Sequence, residues 1–242
     1  MMPIDTLDTE DKAEQFRKKR LKKIEDGDVL GILDEVPHCV LHWLPISRGV
    51  FFNPDILSFT EFAKFMLMEG VPVKTTNSDG FKLGLRVPTN RGERRYSWSV
   101  QLFRSGALEM AFVLPLCKND HGKTKQIIPK DFTEYLWGTI DEFKKYTLSF
   151  DIDIPVRVGI SLFNVLGCSF YISLPSQFYS VHPDIYPRSG KEEIILREEP
   201  IKSLENMKED ERLIFDKLWR SFDANIKKCP YYDDDGNREN LG

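Results

Sequence analysis

Apolar and polar positions alternate with two periods along this chain. Near the start, Ala13, Phe16, Leu21 and Ile24 fall on one arc when each residue advances ~100°, which predicts a helix from about Asp11 to Asp26 that stops at Gly27. In VPHCVLHWLPI the period drops to two. His38, Val40 and His42 share one face, and Cys39, Leu41 and Trp43 share the other. Both faces are partly apolar, so the segment reads as an interior strand. SFTEFAKFMLMEG returns to the helical period, with Ser58 and Glu61 as a capping box, Phe59, Phe62, Ala63 and Met66 as the apolar stripe, and Gly70 as the stop.

Strand patterns follow in FKLGLRV and in YSWSVQLFRSGALEMAFVL, the second folding as a hairpin at Ser105-Gly106. After the polar KNDHGKTK, Phe132, Leu136, Ile140 and Phe143 mark a helix within IIPKDFTEYLWGTIDEFKKYTLSF. PVRVGISLFNVLGCSFYISL predicts a β pair with Val156, Val158, Ile160 and Leu162 facing inward. QFYSVHPDIYPRSG reads as a long excursion before a short strand in EEIILRE. SLENMKEDERLIFDKLWRSFDANI closes the series as a long helix, with Leu213, Leu218 and Phe222 on or near one side.

This order predicts an α+β fold: an antiparallel or mixed sheet with flanking helices, in a single domain over residues 11–230. Residues 1–10 are expected to fray, and 231–242 to form a flexible acidic tail. With 242 residues, the chain can bury a core that needs no covalent staples. The net charge of -4 argues against a protein devoted to duplex nucleic acid, which usually carries a basic surplus or face. The four cysteines stand apart at Cys39, Cys117, Cys168 and Cys229, as expected of reduced thiols in a cytoplasmic setting. No apolar run approaches the ~18 residues of a membrane span, and the acidic N-terminus is unlike a signal sequence, so no membrane partner is expected.

Charge concentrates between Arg17 and Lys23, where six of seven residues are basic. On the helical wheel, Arg17 and Arg20 fall inside the apolar arc, whereas Lys18, Lys19, Lys22 and Lys23 point away from it. A guanidinium at the edge of a core needs a carboxylate, backbone carbonyls or a ligand anion. Pairing with acidic residues of the same chain is the leading expectation and an anion or nucleic-acid site the alternative. The lysine face reads first as solvated surface, and second as a set of phosphate contacts.

Several motifs fail on inspection. HGKT at 121–124 would need glycine where Cys117 stands to make a phosphate-binding loop. His38 and His42 share a strand face, but no Cys/His spacing supplies further metal ligands, so hydrogen-bonded histidines near the core are expected. DDDG near the end has Arg238 where a calcium loop needs glycine. No local signature marks an activated serine or cysteine. In the hairpin, Arg104 and Glu109 are expected diagonally adjacent on one face as a surface ion pair worth less than ~1 kcal/mol.

FRKKRLKKI, VLHWLPI, QLFRSGALE, PVRVGISLFNVLG and LWRSFDANIKKCPYYDDDGN, in that order, resemble the C-terminal region of bacterial proteins that begin with a Schlafen-like, Alba-type domain. The resemblance runs from about Phe16 to Asn237, with QLFRSGALE its most specific piece. Such proteins are described as DNA-binding, ATP-binding or transcription-regulatory. The matching positions are Phe16, Arg17, Arg20, His42, Gln101, Phe103, Arg104, Gly106 and Glu109, and the resemblance assigns them no chemical role. The Alba-type domain itself has no counterpart, so this chain is expected to be the companion module alone, as a fragment or a free-standing relative.

The leading expectation is a non-catalytic module of an intracellular bacterial protein that binds a ligand or partner and regulates. The partner would be a protein or an Alba-type domain, with no cofactor, no metal and no catalytic residue. Arg17, Arg20, His42, Arg104 and Glu109 are its candidate binding residues. The first alternative is nucleic-acid binding through Lys18, Lys19, Lys22 and Lys23, and the second an enzyme with dispersed catalytic residues.

Overall fold

The structure, a computed structural model, describes residues 7, 9–25, 36–46, 75–77, 80–88, 94–103, 105–118, 125–149, 155–170, 192–222 and 227–239. The helix expected at 58–70, the HGKT segment and the excursion at 177–190 lie outside the described residues. Three helices are described: α1 (Glu10–Glu25), α2 (Pro129–Ser149) and α3 (Lys208–Phe222). The main sheet contains β1 (His38–Pro45), β2 (Thr75–Asn77), β3 (Gly80–Pro88), β4 (Arg94–Phe103) and β5 (Leu108–Val113). It continues with β8 (Val156–Phe163), β10 (Ile194–Ile195) and β11 (Glu199–Ile201). A small second sheet holds β6 (Leu116–Lys118), β7 (Lys125–Ile127) and β9 (Ser169–Phe170).

The main sheet is antiparallel throughout, in the order β10-β8-β1-β5-β4-β3-β2, with β11 also on β8. In the small sheet β7 pairs antiparallel with β6 and parallel with β9. The fold is therefore α+β, with helices on both faces of the large sheet. β4 and β5 form the expected hairpin, and Gly106 turns it at φ 80°, a conformation only glycine adopts without a Cβ penalty.

The period of two on each strand divides the sheet into two surfaces. One surface carries Leu41, Trp43, Met110, Phe112, Val158, Ile160 and Leu162 into the main core with α2 and α3. Trp43 donates its Nε1–H to Thr147 Oγ1 of α2 at 2.9 Å, and Phe112 lies against Phe132 with ring centroids 6.1 Å apart. On α3 the buried stripe is Ile214, Phe215, Leu218, Trp219 and Phe222. Leu213, expected with Leu218 and Phe222, is instead exposed, because the packing axis of α3 passes one residue further on. The expected helix start at Ser203 is also corrected: residues 204–207 form a bend and a turn, and Ser203 Oγ accepts from the Asn206 N–H.

The other surface lies under α1. Thr9 begins this helix, its Oγ1 accepting from Lys12 N–H at 3.3 Å, with Glu10 and Asp11 in the first turn and Lys22 and Lys23 in the last to complement the helix dipole. Leu21 and Ile24 pack on Val40, Ala111 and Phe163. Ala13 packs near Leu44, Phe103, Ala107 and Leu7. The expected fraying of 1–10 is corrected at Leu7, which is buried in that apolar group.

The expected flexible tail is corrected over 231–239. Arg238 reaches Asp141 of α2 at 2.6 Å and Glu211 of α3 at 2.7 Å, and its guanidinium sits 5.3 Å from the centre of the Trp137 ring. Trp137 Nε1–H donates to the Tyr232 hydroxyl, which donates to Glu211. Composition suggests solvent; one carboxylate on each of two helices and an aromatic ring provide partners instead. No helix among the described residues is long and apolar enough to cross a membrane.

Candidate functional site

A polar row crosses the surface beneath α1. The register places Gly159 of β8 opposite His42 of β1, His42 opposite Glu109 of β5, and Glu109 opposite Gln101 of β4. The backbone register runs on from Gln101 to Lys82 of β3 and from Lys82 to Thr75 of β2. Gln101, Glu109 and His42 are buried, although a sheet surface shared with Val40 and Ala111 would ordinarily be apolar there. The helical period of α1 then lowers Arg17 and Arg20 onto this row, and both guanidinium groups are buried.

Arg20 and Glu109 form a two-pronged pair, Nε to Oε2 and Nη2 to Oε1, both 2.8 Å. His42 Nε2 lies 3.0 Å from Glu109 Oε2. Arg20 also stacks over Phe103, 5.0 Å from the ring centre. Arg17 turns the other way. Its Nη1 donates to the Leu196 carbonyl at 2.7 Å and meets Glu198 Oε1 at 2.9 Å. Its Nη2 donates to the Ile160 carbonyl at 3.1 Å and to Ser161 Oγ at 2.8 Å. Gly159 makes room for this arm: a Cβ there would stand 2.5 Å from Arg17 Nε.

Burial pushes the Glu109 carboxyl up, but hydrogen bonds from Arg20 and His42 outweigh it and hold the group at about 2. Burial pushes His42 down, Glu109 pulls it back up, and Arg17 and Arg20 push it down again; the balance is below the ordinary histidine value. Glu109 is thus a permanent anion and His42 a neutral ring at neutral pH. Cys39 and Tyr146 are raised by burial, and Cys229 is raised to about 12. A thiol held that high is a poor nucleophile.

Of the candidate binding residues, the structure brings Arg20, His42 and Glu109 into direct contact and sets Arg17 beside them. Arg104 lies outside the described residues. The expected surface pairing of Glu109 is corrected: it is 3% exposed and is claimed by Arg20, 89 positions away. His38 does not join His42 in a shared site; its Nδ1 lies 2.9 Å from the Val36 carbonyl and its ring stacks on Phe163. No group of three or more His, Cys, Asp or Glu among the described residues is placed to hold a metal ion. Lys18, Lys19 and Lys22 are exposed on the far side of α1, Lys18 paired with Glu14 at 2.5 Å, while Lys23 is half-buried.

Sequence reasoning missed Gly159, Ser161 and Glu198. The first two carried a signal: Arg157, Gly159 and Ser161 occupy the alternate positions of β8, so one face of that strand is polar or small. Glu198 carried none, since EEIILREEP offers four glutamates with nothing to separate them. Comparison with known proteins finds no matching family model, no matching curated protein and no matching solved structure.

Proposed function

We propose that this chain is a non-catalytic, partner-binding regulatory module of an intracellular bacterial protein, whose partner is an Alba-type domain. One observation carries the non-catalytic part: the charged groups beneath α1 are buried and bonded to one another, Arg20 and His42 to Glu109 and Arg17 to Glu198. General acid–base work needs a group poised near the working pH. Glu109 at about 2 and Cys229 at about 12 are displaced from that range, and His42, lowered by burial, is bonded to Glu109 inside the closed network. A network of this kind fixes a surface rather than turning over a substrate. The resemblance through QLFRSGALE and its neighbours supports the choice of partner.

The test is isothermal titration of the purified chain with a separately expressed Alba-type domain from the same genome. Saturable binding and co-elution on gel filtration are the expected outcome. Neither heat nor co-elution at high micromolar concentration would remove the pairing.

A second reading, nucleic-acid binding, is favoured by one feature. Lys18, Lys19 and Lys22 are exposed on a helix whose opposite side is pinned by two buried arginines, so the charges are presented on a rigid rod. Retardation of an oligonucleotide is then expected at low salt and should fade between about 50 and 200 mM salt. Retardation that survives Lys18→Ala, Lys19→Ala and Lys22→Ala together would place any such binding elsewhere.

A further inference from the structure

Between α1 and the sheet, the described residues bury four formal charges that balance: Arg17 and Arg20 against Glu109 and Glu198. A fifth titratable group, His42, is fully buried among them. Among the described residues, the charged and titratable groups facing it are Arg17 and Arg20 from α1 and Glu109 from β5. Glu198, beside Arg17, reaches in from the connection between β10 and β11. β8 presents only Gly159 opposite it, with Arg157 two positions along and paired to Glu10 of α1 at 2.5 Å. His38 lies on the same face of β1, four residues away.

A neutral His42 that donates from Nε2 to Glu109 suits this balance. Its Nδ1 has no hydrogen-bond partner among the described residues, which a bare lone pair tolerates better than an N–H does. Protonation changes both conditions at once. It leaves a buried net positive charge, and it creates an Nδ1–H with no acceptor among the described residues. Glu109 cannot absorb the extra cation freely, because Arg20 already occupies both of its oxygens.

We propose that His42 is a proton-operated latch: protonating it releases α1 from the inner surface of the sheet while α2, α3 and the strands stay folded. α1 is suited to leave alone. Its buried apolar side chains are Ala13, Leu21 and Ile24, whereas α2 buries Phe132, Leu136, Trp137, Ile140, Phe143 and Tyr146. Release uncovers an apolar surface of Val40, Ala111, Leu44 and Phe103 with the Glu109 carboxylate at its centre, so acid converts a closed face of the module into an open one. This inference rests on the geometry of the network and not on the identity of the partner.

Hydrogen exchange of the full chain, followed by mass spectrometry from about pH 7.5 to about pH 5 and corrected for intrinsic rates, tests it across the ordinary histidine range. Protection of peptides within α1 should fall by up to about tenfold per pH unit as the pH drops from the ordinary histidine value of 6.5 toward the lower His42 midpoint, while peptides within α2 keep theirs. His42→Gln, which retains a donor toward Glu109 but cannot take up a proton, should abolish the response. Nuclear magnetic resonance of the His42 ring in the unaltered protein gives the midpoint independently of that variant's folding, and it should coincide with the loss of α1 protection. Unchanged α1 protection, loss of α1 and α2 protection together, or a response that persists in a folded His42→Gln would each overturn the latch.

Discussion

Glu109→Ala is expected to destabilise the protein by roughly 3–5 kcal/mol, the range for removing one partner of a buried ion pair. The cost comes from what is left behind. Arg20 loses both short hydrogen bonds and stays in a site only a few per cent exposed, and His42 loses the acceptor for its Nε2–H. Chemical denaturation followed by circular dichroism measures the loss. Lys18→Ala and Lys22→Ala should leave the midpoint where it is, since both side chains lie in water. A double variant with Arg20→Met should recover part of the stability, because two residues in one network do not act additively. A midpoint for Glu109→Ala equal to that of the parent would mean that Arg20 does not depend on it.

The same carboxylate gives the parent a characteristic acid response. Its value falls from an ordinary 4.5 to about 2 on folding, so its contribution is fully present above pH 4.5 and is lost as pH falls through about 2. His42 acts with the same sign at higher pH: its folded value lies below 6.5, so its contribution is present above pH 6.5 and declines as pH falls. Glu109→Ala should flatten the lower part of that profile.

The second large effect is expected at Gly159→Ala, and its sign reverses the usual one. Alanine in place of glycine within a strand normally stabilises, by about 0.5–1 kcal/mol. Here the new Cβ would sit 2.5 Å from Arg17 Nε and 2.6 Å from Cζ. An arginine can ordinarily swing aside, but this one is tied to two carbonyls, a hydroxyl and a carboxylate. Displacing it strands Glu198, so a loss of roughly 2–4 kcal/mol is expected. Thermal unfolding checks the magnitude. Arg17→Met combined with Gly159→Ala should cost less than the sum of the two, and strict additivity would contradict the proposed clash.

Local periodicity made much of this site readable. The helical wheel put Arg17 and Arg20 on the inner arc of α1, and the period of two put His42 with Val40 on one face of β1. The Ser105-Gly106 turn set β4 against β5, but the register that stands Glu109 opposite Gln101 came from the structure, since the expected turn paired the strands one residue out of step. What went astray was the environment of that face. Alternation states which residues share a surface of a sheet, not whether another element covers it. Glu109 read as a surface residue because nothing near QLFRSGALE reveals that a helix 89 positions earlier lies across it. The C-terminal DDDGNRE misled in the same way, since its charge described the segment and not the Arg238 partners on α2 and α3.

The sequence by itself determined the three described helices, the longer strands, where the hairpin turns and most of the side chains that share a face, because these depend on neighbours a few residues away. The tertiary structure alone decided that β8 lies beside β1, that Glu198 meets Arg17, and that Gly159 must lack a side chain. Those facts depend on strand order and on a helix crossing over it, and each joins residues more than a hundred positions apart, beyond the reach of any local period.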